Sequence, residues 1–217
     1  MKQFRAIVIG ATGAVGRFLV SQLLENSRIK SVTIFVRKNI TSENKKLIVH
    51  KIDFSNIGEH SEKIVGDVLF SAMGTTLKDA GSRKKQYLVD YTYQHNFAKI
   101  ALKNGVKNYS LVSSVGANSK SLFFYPKIKG ALENDIANLS FERTQIFRPA
   151  SLVRPLNLLR KNEKILINVL IFFNKLGLFQ SLKPLRVENL AKFMIDKVFE
   201  ENTNKITFYD LKEIVKR

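Results

Sequence analysis

The stretch Phe4-Arg-Ala-Ile-Val-Ile-Gly10-Ala-Thr-Gly13-Ala-Val-Gly16-Arg-Phe-Leu-Val20 decides the fold of this chain. An apolar strand runs into three glycines, and the glycines run into an amphipathic helix with Val15, Phe18, Leu19 and Leu23 on one face. Glycines spaced in this way form a phosphate loop only when a strand precedes them and a helix follows, and both flanks are present. Gly10 is expected to allow the tight turn, Gly13 to let backbone approach a pyrophosphate, and Gly16 to let helix and strand pack closely. Thr12, Ala14 and Val15 sit between them and belong to the same candidate cofactor loop. The first N–H groups of the helix and its positive dipole end favour phosphate charge. A P-loop is excluded because no Gly-Lys-Ser/Thr follows.

Outward from this junction, the pattern alternates. Strands are expected at 5–9, 31–36, 47–52, 67–72, 108–113, 143–147 and 205–209. Helices are expected at 14–26, 82–104 (stopped by Gly105), 126–138, 165–178 and 187–199, with a short one at the C-terminus. The strands are near-continuous runs of Val, Ile and Phe, as in strands buried on both faces. Alternation with helices predicts an α/β fold of the Rossmann type, a doubly wound parallel sheet. We expect a single domain over 1–217, with about 150–217 forming a small substrate-side subregion. Ligands of such sheets lie beyond the carboxyl ends of the strands. That rule gathers Gly10–Gly16, Arg37–Lys38, Asp53–Phe54, Ala72–Gly74 with Met73 between, Ser113–Ser114, and Arg148 to Ala150 at one crevice.

Composition narrows the function. The 217 residues with 45% apolar content suffice for a sizeable core. With no cysteine there is no thiolate metal site or cysteine nucleophile, and His50, His60 and His95 have no zinc spacing, so no metal is expected. The net charge of +18 raises nucleic acid or an anionic membrane surface as partner. Residues 1–153 carry 23 basic and 11 acidic side chains, and residues 154–217 carry 13 and 7. Charge spread so evenly favours a solvated basic surface over a nucleic-acid face. The apolar run 165–179 is too short and too interrupted to span a membrane. It reads as a packing helix, an apolar substrate lid or a membrane-surface helix. The chain's opening does not resemble a signal peptide, and a cytoplasmic location is expected.

Two further features specify chemistry. NAD sites usually place an acid at the end of strand 2, to bond the ribose 2′-hydroxyl. This chain has Arg37 and Lys38 there. A guanidinium can hold a 2′-phosphate through two parallel bonds, so NADP(H) is expected over NAD(H). Asp53 is expected either to accept from an adenine amino group or to cap the next turn. Tyr125-Pro-Lys-Ile-Lys129 puts a tyrosine and a lysine four apart at a helix start, on one side. Pro126 is expected at the first helical position, with Tyr125 near the cap. Reduction of a carbonyl leaves an alkoxide to be protonated. A tyrosine hydroxyl beside a cation can do this, and a serine hydroxyl can hold the substrate oxygen.

Taken together, Gly10-Ala-Thr-Gly13-Ala-Val-Gly16, Phe35-Val-Arg37-Lys38, Asp53-Phe54, Met73-Gly74-Thr75-Thr76, Val112-Ser113-Ser114, Tyr125-X-X-X-Lys129 and Phe147-Arg148-Pro149 resemble the short-chain dehydrogenase/reductases. The resemblance covers about residues 4–155 and is to the atypical group with the Tat-interacting-protein-like oxidoreductases. It implies Tyr125 as acid/base, Lys129 as ribose ligand and tuner of Tyr125, and Ser114 or Ser113 as the carbonyl-binding serine, Ser114 preferred. It implies Pro149, Ala150 and Leu152 along the nicotinamide. The chain departs from the family pattern at Ser71–Met73 and Asp90, where many members have asparagines, and in a slightly shorter serine–tyrosine spacing. The expected activity is hydride transfer to or from a small carbonyl or alcohol, with a hydrophobic substrate hinted by the 165–179 run. Alternatives are a redox sensor that binds NADP(H) without turnover, a nucleic-acid-binding protein on this fold, and an epimerase or isomerase using the same tyrosine. Oligomeric state is open.

Overall fold

Strand β1 (Phe4–Ile9) alternates its side chains between two cores: Ala6 and Val8 enter one, Ile7 and Ile9 the other, and all four are buried. This two-sided burial requires a sheet covered on both faces. In the computed structural model, which describes residues 3–150, 152–153 and 185–215, seven parallel strands run in the order β3-β2-β1-β4-β5-β6-β9. Besides β1 the sheet holds β2 (Ile29–Val36), β3 (Leu47–Lys51), β4 (Val68–Ser71), β5 (Asn108–Val112), β6 (Arg143–Arg148) and β9 (Ile206–Asp210), and β1 pairs directly with β2 and β4. The expected Rossmann-type parallel sheet holds, and its strand order reverses direction at β1, between β2 and β4. A two-stranded sheet pairs β7 (Leu152–Val153) with β8 (Leu185–Arg186).

Helix α1 (Ala14–Glu25) turns Val15, Leu19 and Leu23 onto the first face of the sheet. It is joined there by the helix Val187–Phe199, labelled α6 below, and Gln22 donates across to the Glu188 carbonyl at 3.1 Å. On the opposite face, α4 (Tyr93–Lys103) contributes Phe97, Ala98 and Ala101, and α5 (Phe124–Asn138) contributes Leu132 and Ile136. The C-terminal helix α7 (Leu211–Val215) follows β9 directly.

The structure differs from the expected elements in three places. The segment after Asp53 forms 3-10 turns within Phe54–Lys63, interrupted at Asn56 and His60, and the Asp53 carboxylate starts the first of them by accepting from the Ser55 N–H at 2.9 Å. The single helix expected at 82–104 is preceded by α2 (Leu77–Ala80) and is broken into α3 (Arg83–Tyr87), a π-turn at Leu88–Thr92, and α4, which ends before Gly105 at φ +84°. A π-turn carries one extra residue and frees carbonyls from the helical ladder. Buried Gln94 takes them up, its amide donating to the Val89 and Asp90 carbonyls at 3.1 and 3.0 Å, while its oxygen accepts from the Ser71 hydroxyl at 2.7 Å. Finally, α5 starts at Phe124 with Phe123 as its cap, so Tyr125 and Pro126 lie inside the first turn. Pro126 is tolerated there because that N–H has no partner within the helix. The helix expected at 165–178 lies outside the described residues.

Candidate functional site

The crevice sits where β1 and β4 part, at their carboxyl ends. Gly10, with φ +78°, turns the chain so tightly that a Cβ there would lie 2.5 Å from the Ala72 backbone. A Cβ on Gly16 would lie 2.1 Å from the Gly10 carbonyl oxygen. Only glycine fits either position, and the loop is thereby clamped between the end of β4 and the first turn of α1. Gly13 caps α1 and donates its N–H to the Gly10 carbonyl at 2.9 Å.

This loop walls a cavity of about 260 Å³. Gly10, Thr12 and Gly13 form one side, Phe35 to Arg37 and Phe54 another, and Ala72, Met73 and Gly74 a third, with Val89 and Tyr93 of the π-turn and α4 closing it. A neighbouring cavity of about 550 Å³ shares Arg37, Phe54 and Gly74 with it and adds Asp53 and Thr75. Of the cofactor residues expected from the sequence, Gly10, Thr12, Gly13, Arg37, Phe54, Ala72, Met73 and Gly74 are thus brought together. Ala14, Val15 and Gly16 are not on the wall: Val15 faces the core, and Gly16 keeps α1 close to the loop. Lys38 is exposed beyond the wall, and Asp53 is engaged in capping its own turn. The two Ser55 hydrogen bonds hold the Asp53 carboxyl below the ordinary carboxylate value. Arg37 has no carboxylate partner among the described residues.

Along the sheet, β5 delivers Ser113 and Ser114. Both hydroxyl oxygens are buried and have no hydrogen-bond partner among the described residues. Burying a hydroxyl unpaired costs free energy, so such a group is completed by a ligand or by an ordered water. The Ser113 N–H donates to the Phe147 carbonyl at 2.8 Å and the Val115 N–H to the Pro149 carbonyl at 2.9 Å, which ties the serine loop to the end of β6. Arg148 fixes that end against α5 through two bonds to buried Glu133, at 3.0 and 2.6 Å. Pro149 and Ala150 follow there, and Leu152 lies in β7.

Tyr125 and Lys129 have separate environments, although α5 places them one turn apart. Tyr125 is 38% exposed and lines a cavity with Phe124. Lys129 is 2% exposed; its ammonium donates to the Val112 carbonyl at 3.4 Å and lies 3.6 Å from the Asp90 carboxylate, itself fully buried. The other Asp90 oxygen accepts from the Thr75 N–H at 3.0 Å. Burial pushes the Asp90 carboxyl above its ordinary range, against the pull of Lys129 and the Thr75 bond. Among the described residues no hydrogen bond joins Tyr125 to Lys129 or to either serine.

Sequence reasoning missed Val89, Tyr93 and Gln94. For Gln94 the spacing alone was in the sequence: Gln86, Asp90 and Gln94 recur every four residues on the helix stripe that continues as Phe97 and Ala101, and the structure shows all five buried. Polar residues on a core-facing stripe mark a polar network.

The site's residues fit a dinucleotide, on two observations: a glycine loop in which a Cβ would collide with backbone, and two buried hydroxyls without partners. Comparison with known proteins agrees. Residues 10–142 match the family described as NAD(P)H-binding. The protein named "Protein FMP52, mitochondrial" of Candida albicans is 40% identical over 151 residues, 67% of this chain and 66% of that protein. The protein of the same name in Eremothecium gossypii is 30% identical over 97% of this chain and 95% of its own length. Protein HTATIP2 of Rattus norvegicus is 31% identical over 70% of this chain and 64% of its own. The matched segment thus spans just under two thirds of the Candida and rat relatives. Among solved structures, Bordetella bronchiseptica WbmG in complex with NAD superposes with a TM-score of 0.71 at 13% identity, covering 96% of this chain and 73% of that one. The UDP-Glc/GlcNAc 4-epimerase of Campylobacter jejuni superposes at 0.70 with 12% identity, covering 97% and 81%. At such identities these two show the fold. The mitochondrial names of the fungal relatives overturn the cytoplasmic location expected from the chain's opening. Glycine loop, parallel sheet and relatives converge: the chain belongs to the NAD(P)H-binding family, and its likeness to the rat protein agrees with the Tat-interacting-protein-like resemblance of its motifs.

Proposed function

We propose that this protein is an NADP(H)-dependent oxidoreductase acting on a carbonyl or alcohol, in mitochondria like the relatives named for that compartment. The observation that carries the chemistry is the pair of buried, unpartnered hydroxyls of Ser113 and Ser114 at the carboxyl end of β5. The glycine loop would hold the pyrophosphate with the N-terminus of α1, and Arg37 the 2′-phosphate. When bound, the nicotinamide supplies or accepts the hydride. Ser114, or Ser113, orients the carbonyl oxygen through a hydrogen bond from its hydroxyl and keeps its own proton. Tyr125 gives that oxygen its proton in reduction and takes it back in oxidation. Lys129 is held under the site by the Val112 carbonyl and the Asp90 carboxylate. Pro149, Ala150 and Leu152 shape the nicotinamide end.

Tyr125→Phe tests this reading. It keeps NADPH affinity within about twofold and lowers turnover of a medium-chain aldehyde by roughly 10²-fold or more, the size expected for a lost acid/base group. Undiminished turnover in Tyr125→Phe contradicts the role. One observation favours a second reading, an NADP(H) sensor without turnover: the Asp90 carboxylate sits beside the ammonium that would otherwise act on Tyr125. A sensor would bind a protein partner in proportion to the NADPH/NADP ratio, and Tyr125→Phe would leave that binding intact.

A further inference from the structure

Beyond the nucleotide crevice lies a separate cavity of about 500 Å³ whose wall includes Thr75, Leu77, Arg83, Gln86, Phe124 and Tyr125. It meets the nucleotide side through Thr75, which lines both. The polar groups here are mostly committed. The Gln86 amide donates to the Thr75 carbonyl at 3.2 Å, and the adjacent Thr76 hydroxyl accepts from the Asp79 N–H at 3.1 Å to cap α2. Arg83 is different. Its guanidinium lies over the Phe124 ring, 5.5 Å from the centroid, and has no carboxylate partner among the described residues. Part of the wall is apolar: Leu77 is half exposed and Phe124 lines it, and Leu122 and Phe123, the two residues that precede Phe124 in the chain, are 100% and 77% exposed.

We propose that this cavity is the substrate subsite, and that it takes an apolar carbonyl compound whose far end carries a carboxylate, bound by Arg83. The proposal rests on Tyr125 as the group that meets the carbonyl. An apolar body removes Leu77 and Phe124 from water. A carboxylate matches the guanidinium fork with two parallel hydrogen bonds, which a neutral end group cannot do. The cation without a carboxylate partner thus sets specificity, and Leu77 and Phe124 take up the apolar body.

The test uses the NADPH-loaded protein and calorimetric titration with decanoate and decan-1-ol. Decanoate binds more tightly than decan-1-ol, and Arg83→Gln weakens decanoate about tenfold while leaving decan-1-ol unchanged, the loss expected for one charged hydrogen-bonded contact. Lys99→Gln, on the exposed side of α4, changes neither. In turnover, Arg83→Gln raises KM for 10-oxodecanoate about tenfold with kcat unchanged and leaves decanal unaffected. Equal affinity for acid and alcohol, or a loss in Lys99→Gln as large as in Arg83→Gln, overturns the proposal, the latter by tracing the preference to diffuse positive charge. If decanoate binding depends on Arg83 while neither aldehyde is turned over, the anion subsite stands and the oxidoreductase reading falls. If both aldehydes are reduced and Arg83→Gln alters nothing, the subsite falls and the oxidoreductase reading stands.

Discussion

The two ends of the site are built by opposite means. At Gly10–Gly16 the geometry comes from what is missing: side chains that would strike the Ala72 or Gly10 backbone are absent, and the loop closes on itself. At Asp90 and Lys129 it comes from what is added, a carboxyl and an amine taken out of water and held 3.6 Å apart. The first arrangement is rigid and indifferent to pH. The second is costly, and it persists only while both partners and the π-turn beneath them are intact.

The comparison can be broken most forcefully at the charged end. Asp90→Asn keeps an acceptor for the Thr75 N–H but leaves the Lys129 ammonium buried without a counter-charge. We expect a loss of about 3–5 kcal/mol in denaturant unfolding. Asp90→Asn combined with Lys129→Met removes both charges and should recover most of it. A double variant as unstable as the sum of the singles would show that the pair is not coupled. At the glycine end, Gly16→Ala forces a Cβ against the Gly10 carbonyl and should cost about 1–3 kcal/mol by overpacking, with a parallel loss of NADPH affinity. An unchanged melting temperature would show that the loop yields.

The smallest effect expected is at Asp53, which separates capping from ligand binding. Its folded carboxyl titrates below the ordinary value of 3.8, so the cap's contribution is complete above that pH and disappears as pH falls through the lower, folded value. Thermal melts between pH 5 and 2 should therefore show a slightly steeper acid loss in the natural protein than in Asp53→Asn. An identical slope would mean that the Ser55 bonds do not shift the carboxyl in solution.

The same contrast explains what could be read from the chain alone. The glycine loop, the alternation of strands with helices and the basic end of β2 are local patterns, each set by a few adjacent residues, and they were legible. The π-turn was not, because an extra residue in a helix leaves the local pattern of Arg83 to Lys103 helical. What betrays it is the burial of Gln86, Asp90 and Gln94 on one stripe, visible only once Ser71 and Lys129 are known to lie opposite. Asp53 had two readings in sequence because capping and ligand binding use the same carboxylate, and the Ser55 contacts identify capping. Tyr125 and Lys129 were found by spacing, but their separate environments depend on β5 and on Asp90, which are distant in sequence.

The central claim is that the glycine crevice with Arg37 on its wall is an NADP(H) site, and titration of NADPH and NADH into the protein and into Arg37→Ala tests it most directly. The account predicts NADPH binding at least about tenfold tighter than NADH, about 1.4 kcal/mol, with that preference lost in Arg37→Ala and NADH affinity unchanged. Equal affinity for the two nucleotides, or a preference that survives Arg37→Ala, would contradict it.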